Sequence, residues 1–155
     1  MSAEPIWLLR EFIIAVHERL IAEYGGSPGL RDEGLLESAM ARPMHMFNYG
    51  DPSLVEMAAS YAVGIAKNHA FADGNKRAAF VAAAVFLERN GLRLNAPEAE
   101  ATVAMLRVAE GSLTERQLAR WLKERPPPGS RNRVCGRRPP GTSPTSAGPT
   151  GDREL

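Results

Sequence analysis

One cysteine in 155 residues, Cys135, leaves no partner for an intrachain disulfide and excludes a cysteine-based metal site. That usage fits a reducing compartment. Aromatic residues are scarce at 6%, and no alternating strand pattern of useful length occurs. No long apolar run is present either. The opening MSAEPIWLLREFIIAV has no basic residue ahead of its apolar stretch and is interrupted by Arg10 and Glu11, so it reads as neither signal peptide nor membrane span. A cytoplasmic location without membrane association is the expectation.

A strong charge of one sign is also missing. The net charge of +1 hides an uneven spread: residues 126–155 hold five arginines against Asp152 and Glu154, +3, which leaves −2 for residues 1–125. A slightly acidic body is not built to neutralise a phosphate backbone, so direct nucleic-acid binding is not expected.

What the chain does have is alanine with Leu, Glu and Arg, and 44% hydrophobic residues overall. Alanine loses no side-chain entropy in a helix, so this mixture favours helices. The length suits one domain. Residues 126–155 carry seven prolines and five glycines and almost no large apolar side chains. Such a segment cannot bury enough surface to offset its ordering entropy, and it reads as a disordered tail. The expected organisation is a helical domain over 1–125 followed by that tail.

Punctuation predicts about six helices in an all-α bundle. The first spans Ile6 to Tyr24 with a buried stripe of Leu9, Ile13, Val16 and Leu20, and stops at Gly25-Gly26. Residues 25–32 form a loop, and Asp32 caps a short second helix that ends at Pro43. Asp51-Pro52 opens a third, with Leu54, Ala58, Tyr61 and Ile65 inward, ending near His69. A fourth runs from Asn75 to Asn90, closed by Gly91, with a short extended piece at Leu92 to Leu94. Pro97 opens a fifth, closed by Gly111. Ser112 to Glu115 has the capping-box spacing for a sixth, carrying Leu118, Trp121 and Leu122.

The informative stretch is His69-Ala-Phe-Ala-Asp-Gly-Asn-Lys-Arg77. It places a histidine, a carboxylate, a glycine, an amide and two cations in a loop that opens onto a helix. The first turn of a helix offers free N–H groups and the positive end of the dipole. Gly74 lets backbone approach a ligand, and Asn75, Lys76 and Arg77 add amides and positive side chains. That is an anion site, most naturally for phosphates. Asp73 supplies an oxygen for Mg²⁺, which is usually held by a carboxylate together with phosphate oxygens and water. His69 is suited to accept a proton from an attacking hydroxyl near neutral pH. Phe71 reads as an anchor plugged into the core. His17 reads as a packed residue of the first helix. His45, in Pro43-Met-His-Met-Phe47, caps, packs or lines a cleft.

HAFADGNKR resembles the signature of the Fic/Doc family, His-x-Phe-x-Asp/Glu-Gly/Ala-Asn-Lys/Gly-Arg, at every defined position. YGGSPGLRDEGLLESAMARP, SYAVGIAKNHAF and FLERNG are similar to the Doc (death-on-curing) branch. Together the likeness covers about residues 8–125. It implies the Fido fold and a toxin of a type II toxin–antitoxin pair that uses a nucleoside triphosphate as co-substrate. In that setting His69 is the general base, Asp73 the Mg²⁺ ligand, and Gly74, Asn75, Lys76 and Arg77 the phosphate binders. Lysine at position 76 goes with phosphoryl transfer, whereas AMP-transferring Fic proteins commonly have glycine there. Gly74 itself is Fic-like, and Val81 stands where a Doc protein can carry asparagine, so AMP transfer stays open as the alternative. The branch implies translation elongation factor Tu as protein substrate. The self-inhibiting pattern Ser/Thr-x-x-x-Glu-Gly/Asn is missing at Glu110-Gly111, which Leu106 precedes by four. Control by a small Phd-like antitoxin supplied in trans is therefore expected. It would lie in an apolar groove; Met44 to Tyr49 either contribute to that groove or simply cover the core. A non-catalytic nucleotide- or partner-binding module is the reading from another class.

Overall fold

The computed structural model describes residues 4–124, and the tail expected at 126–155 lies outside the described residues. Six helices form among them: α1 (Arg10–Tyr24), α2 (Glu33–Tyr49), α3 (Leu54–Asn68), α4 (Asn75–Arg89), α5 (Glu98–Glu110) and α6 (Glu115–Lys123). No strand forms among the described residues; extended backbone pairs only at an isolated Leu30–Phe71 bridge. The fold is all-α, as the helical punctuation predicts. No described helix is long and apolar enough to cross a membrane.

α3 is the central helix and packs against α2, α4, α5 and α6. Every residue from Met57 to Ala66 is buried, so this helix has no solvent face over nearly three turns. Small side chains make that possible. A Cβ on Gly64 would lie 2.9 Å from Arg42 Cδ and 3.1 Å from Ala39 Cα, so α2 rests directly on the α3 backbone there. Tyr61 reaches from α3 to Phe86 of α4, with ring centroids 5.1 Å apart, and Trp7 stacks on the same phenylalanine at 6.2 Å. The expected inward residues Ala58, Tyr61 and Ile65 are fully buried.

α1 begins four residues later than its apolar pattern suggests. The backbone before it stays extended because its polar groups are bonded elsewhere. Leu8 N–H donates to Tyr61 Oη at 3.2 Å, and Ile6 exchanges bonds with the Asn90 side chain at 2.8 and 3.1 Å. Leu8 consequently points inward and Leu9 is 64% exposed. The buried line of α1 is Ile13 and His17, with Val16 and Leu20 half-buried on its flank. The expected stripe through Leu9 is thus rotated, and the packed reading of His17 holds.

α2 continues through Pro43 to Tyr49 rather than stopping there. Proline in a helix interior costs about 3 kcal/mol. Here Pro43 is itself buried, and the turn beyond it packs Phe47 edge-on to Trp7 at 5.8 Å. Tertiary burial overrides local propensity. The segment expected as a Met-rich loop is therefore helical, with Met44 and Tyr49 exposed.

Two caps shift by two residues. Ser53, not Asp51-Pro52, caps α3 through a reciprocal pair with Glu56 at 3.1 and 2.7 Å. Thr114 with Gln117, not Ser112 with Glu115, forms the box of α6 at 3.1 and 2.9 Å. Ser112 N–H instead closes α5 by donating to Arg107 C=O at 2.9 Å. Residues 92–94 form no strand.

Candidate active site

The HAFADGNKR loop joins the end of α3 to the start of α4 and lies against the α1–α2 connection. His69 ends α3 in the left-handed region, at φ 55° and ψ 46°, and among the described residues no other non-glycine has positive φ. Arg31 holds that conformation. Its Nε donates to the His69 carbonyl at 3.1 Å and its Nη2 donates to the same oxygen. The next carbonyl, Ala70, accepts from Arg31 N–H at 2.7 Å and Asp32 N–H at 3.0 Å. Ala72 N–H then donates to Gly29 C=O at 3.1 Å. Residues 29–32 thus run antiparallel to 70–72 and splint the loop, a role beyond that of the connector the sequence suggests.

Phe71 is buried to 1% exposure, as expected of an anchor. Its ring stacks on His17 with centroids 3.9 Å apart and planes 9° from parallel. Its backbone is closed by Asn75, whose Oδ1 accepts from Phe71 N–H and whose Nδ2 donates to Phe71 C=O, both at 3.0 Å. The Asn75 side chain is therefore structural. What this residue offers a ligand is its backbone N–H in the first turn of α4.

Asp73 is exposed and its carboxylate is oriented by two backbone donors. Oδ1 accepts from Gly74 N–H at 2.8 Å and Oδ2 from Ser27 N–H at 3.3 Å. A Cβ on Gly26 would fall 2.8 Å from Asp73 Oδ2, so only glycine lets the α1–α2 loop come this close. Gly26 and Ser27 belong to the site. Their sequence signal is the Gly25-Gly26 pair, which also reads as an ordinary helix stop.

Gly74, at φ 76°, is the N-cap of α4 and makes no side-chain cap. The first-turn N–H groups of α4 thus remain available, beside the exposed side chains of Lys76 and Arg77. Arg77 lies over the Tyr24 ring, its Cζ 4.1 Å from the centroid. These groups open on a cavity of about 460 Å³ between α1, α4 and α5. Asp73, Gly74, Asn75, Lys76 and Arg77 form one polar side, Glu98 and Thr102 of α5 face it across the cavity, and Leu20, Phe80, Val81, Met105 and Leu106 add apolar surface. Its size is that of a small-molecule site. The exposed His69 does not line this cavity and stands at the other end of the loop. His45 is exposed on α2 and takes no part in it.

Among the described residues no three His, Cys, Asp or Glu side chains gather as a metal cage. A cation at Asp73 would thus need phosphate oxygens and water for its remaining ligands. The carboxylate suits that role. It offers about four lone-pair directions, and the two backbone donors leave the rest available.

An all-α domain with a helix N-terminus, two cations and the carboxylates of Asp73 and Glu98 around one cavity defines a protein able to receive an anionic ligand, alone or with a cation. The model of the Fic/DOC family matches residues 7–87. Protein kinase doc of Escherichia phage P1 is 37% identical over 116 residues, covering 73% of this chain and 90% of that protein. Toxin Doc of Mycolicibacterium smegmatis is 45% identical over 75 residues, covering 47% of this chain and 58% of that one. The chain belongs to the Fic/Doc family, and these relatives support its Doc branch.

Proposed function

We propose that this chain is a Doc-type toxin that transfers a phosphoryl group from a nucleoside triphosphate to a hydroxyl of a protein target. The observation that carries the reading is the convergence of Asp73, Gly74, Lys76 and Arg77 on one cavity at the N-terminus of α4. The names of the two relatives, a protein kinase and a toxin, support it.

In this reading the terminal phosphates lie against the first-turn N–H groups of α4. Those dipoles, with Lys76 and Arg77, offset the charge that builds on the phosphate oxygens as the bond to the leaving nucleotide breaks. Asp73 would hold Mg²⁺ beside those phosphates, and the ion supplies charge neutralisation and alignment when bound. His69, at the exposed end of the loop, takes the proton from the target hydroxyl as its oxygen bonds to phosphorus. The Arg31 bonds to the His69 carbonyl fix the backbone that carries this imidazole. A small Phd-like antitoxin restrains the activity in trans.

The test is to incubate the chain with Mg²⁺ and ATP and with elongation factor Tu, then to weigh the product by mass spectrometry. Addition of one phosphoryl group supports the reading. Addition of AMP, a much heavier group, replaces it with AMP transfer, and no adduct on any protein of a cell extract counts against transfer altogether. Expression of the chain alone should arrest growth, and the adjacent small gene should relieve the arrest.

A further inference from the structure

His17 carries none of the HAFADGNKR motif and lies more than fifty residues before it, yet it meets the loop at its most consequential peptide. It is 1% exposed. Its Nε2 lies 2.6 Å from the Asp73 carbonyl oxygen. A carbonyl only accepts, so Nε2 carries the proton and donates. The ring is held flat against Phe71 at 3.9 Å, and a Cβ on Gly74 would lie 3.5 Å from the same Nε2.

The peptide that joins Asp73 to Gly74 is planar, so its two ends turn together. Its C=O is held by His17, and its N–H donates to Asp73 Oδ1 at 2.8 Å. Gly74 sits at φ 76°, a region glycine enters freely and leaves as freely. Nothing in the covalent chain therefore fixes this plane.

We infer that His17 is a positioning residue for the Asp73 carboxylate: its Nε2–H locks the Asp73–Gly74 peptide, and that peptide's N–H in turn orients Oδ1. Loss of the donor releases the plane and with it one of the two bonds that aim the carboxylate. Ser27 N–H, at 3.3 Å, remains as the longer one. The inference rests on the reading of Asp73 as the cation ligand. Hydrogen-bonding groups that orient a metal's ligands typically account for about 10–100-fold in metal affinity.

The test uses the full chain with two variants that separate the ring from its donor. His17→Phe keeps a flat ring on Phe71 and removes the N–H. His17→Gln loses the ring but places an amide N–H at similar reach. ATP binding is titrated by calorimetry over a series of Mg²⁺ concentrations, and the amide resonances of Gly74 and Ser27 are recorded without metal. His17→Phe should raise the Mg²⁺ concentration for half-maximal ATP binding by about tenfold and shift the Gly74 amide. His17→Gln, although less stable to heat, should recover most of that Mg²⁺ dependence. A phenylalanine variant with native Mg²⁺ dependence and an unmoved Gly74 amide overturns the inference. Equal loss in both variants, in step with their melting temperatures, also overturns it and leaves His17 a packing residue. Asp73→Ala serves as the control. If it leaves Mg²⁺ dependence unchanged, the metal reading of Asp73 fails, and the Gly74 resonance alone decides whether His17 sets the peptide.

Discussion

Asn75 and Phe71 close a ring of two hydrogen bonds, each 3.0 Å long, in which one side-chain amide satisfies both polar groups of one backbone residue. Both residues are buried, so neither Phe71 group has water as a substitute. Asn75→Ala leaves a donor and an acceptor unpaired and should destabilise the domain by about 2 kcal/mol. Asn75→Asp should do no better. One carboxylate oxygen can still accept from Phe71 N–H, but the other faces the Phe71 carbonyl, acceptor against acceptor. Urea midpoints of the two variants test this, and a near-native midpoint for Asn75→Asp contradicts the ring.

Gly25 and Gly26 make a controlled comparison because both have positive φ, 87° and 118°. A Cβ at Gly25 meets nothing within 4 Å, while one at Gly26 lies 2.8 Å from Asp73 Oδ2. Alanine strains the backbone at both places. Only Gly26→Ala should also push the carboxylate aside. Calorimetry is expected to show a loss of Mg²⁺-dependent ATP binding of about tenfold for Gly26→Ala. Gly25→Ala should lower the melting temperature without that loss.

These contacts show where a single sequence is legible and where it is not. The nine-residue loop could be read because its residue types are unusual together and local in sequence. Five of its members, Asp73 to Arg77, do converge on one cavity. The termini of α4 and α5 were legible from Gly74, Gly91, Pro97 and Gly111. His17, Ser27 and Arg31 were not assignable to the site, because each acts across a fold that brings α1 and the α1–α2 loop to residues 69–74. Pro43 misleads for the same reason: it is itself buried, and the turn beyond it is held by Phe47 against Trp7, outside any local window. Leu9 fits a helical stripe, yet the bond from Leu8 to Tyr61 keeps the chain extended there.

That bond makes stability pH-dependent in the alkaline range. Burial raises the Tyr61 phenol above the ordinary value of 10.0, and the bond from Leu8 N–H opposes the shift more weakly. A folded-state value above the unfolded one means that the neutral phenol is favoured by folding. The contribution is complete below about pH 10 and is lost as pH rises through the folded value. Urea midpoints should therefore fall above pH 10 more steeply for the native chain than for Tyr61→Phe. The variant pays at neutral pH instead, because Leu8 N–H loses its acceptor, by about 1 kcal/mol. Parallel pH profiles for the two chains would show that Tyr61 does not control the alkaline limb.

His69 combines two roles that a substitution can separate. Its backbone occupies the left-handed region, where a residue with a Cβ carries a penalty of about 1–2 kcal/mol that glycine avoids. Its imidazole is exposed and bonds nothing in the core, while the Arg31 bonds are made to its carbonyl and survive any side-chain change. His69→Gly should therefore melt at or above the native temperature, since the relieved strain offsets the extra freedom of glycine in the unfolded chain. His69→Ala keeps the strain and should melt close to native. Both should lose phosphoryl transfer by about 10²–10⁴-fold, the usual contribution of a positioned acid–base group. ATP binding should persist in both, because Asp73, Lys76 and Arg77 are untouched and His69 does not line their cavity. Thermal melts, ATP calorimetry and the transfer assay on the same preparations decide the matter. A glycine variant that keeps transfer would remove His69 from the chemistry. One that melts well below native would show that the imidazole itself supports the fold.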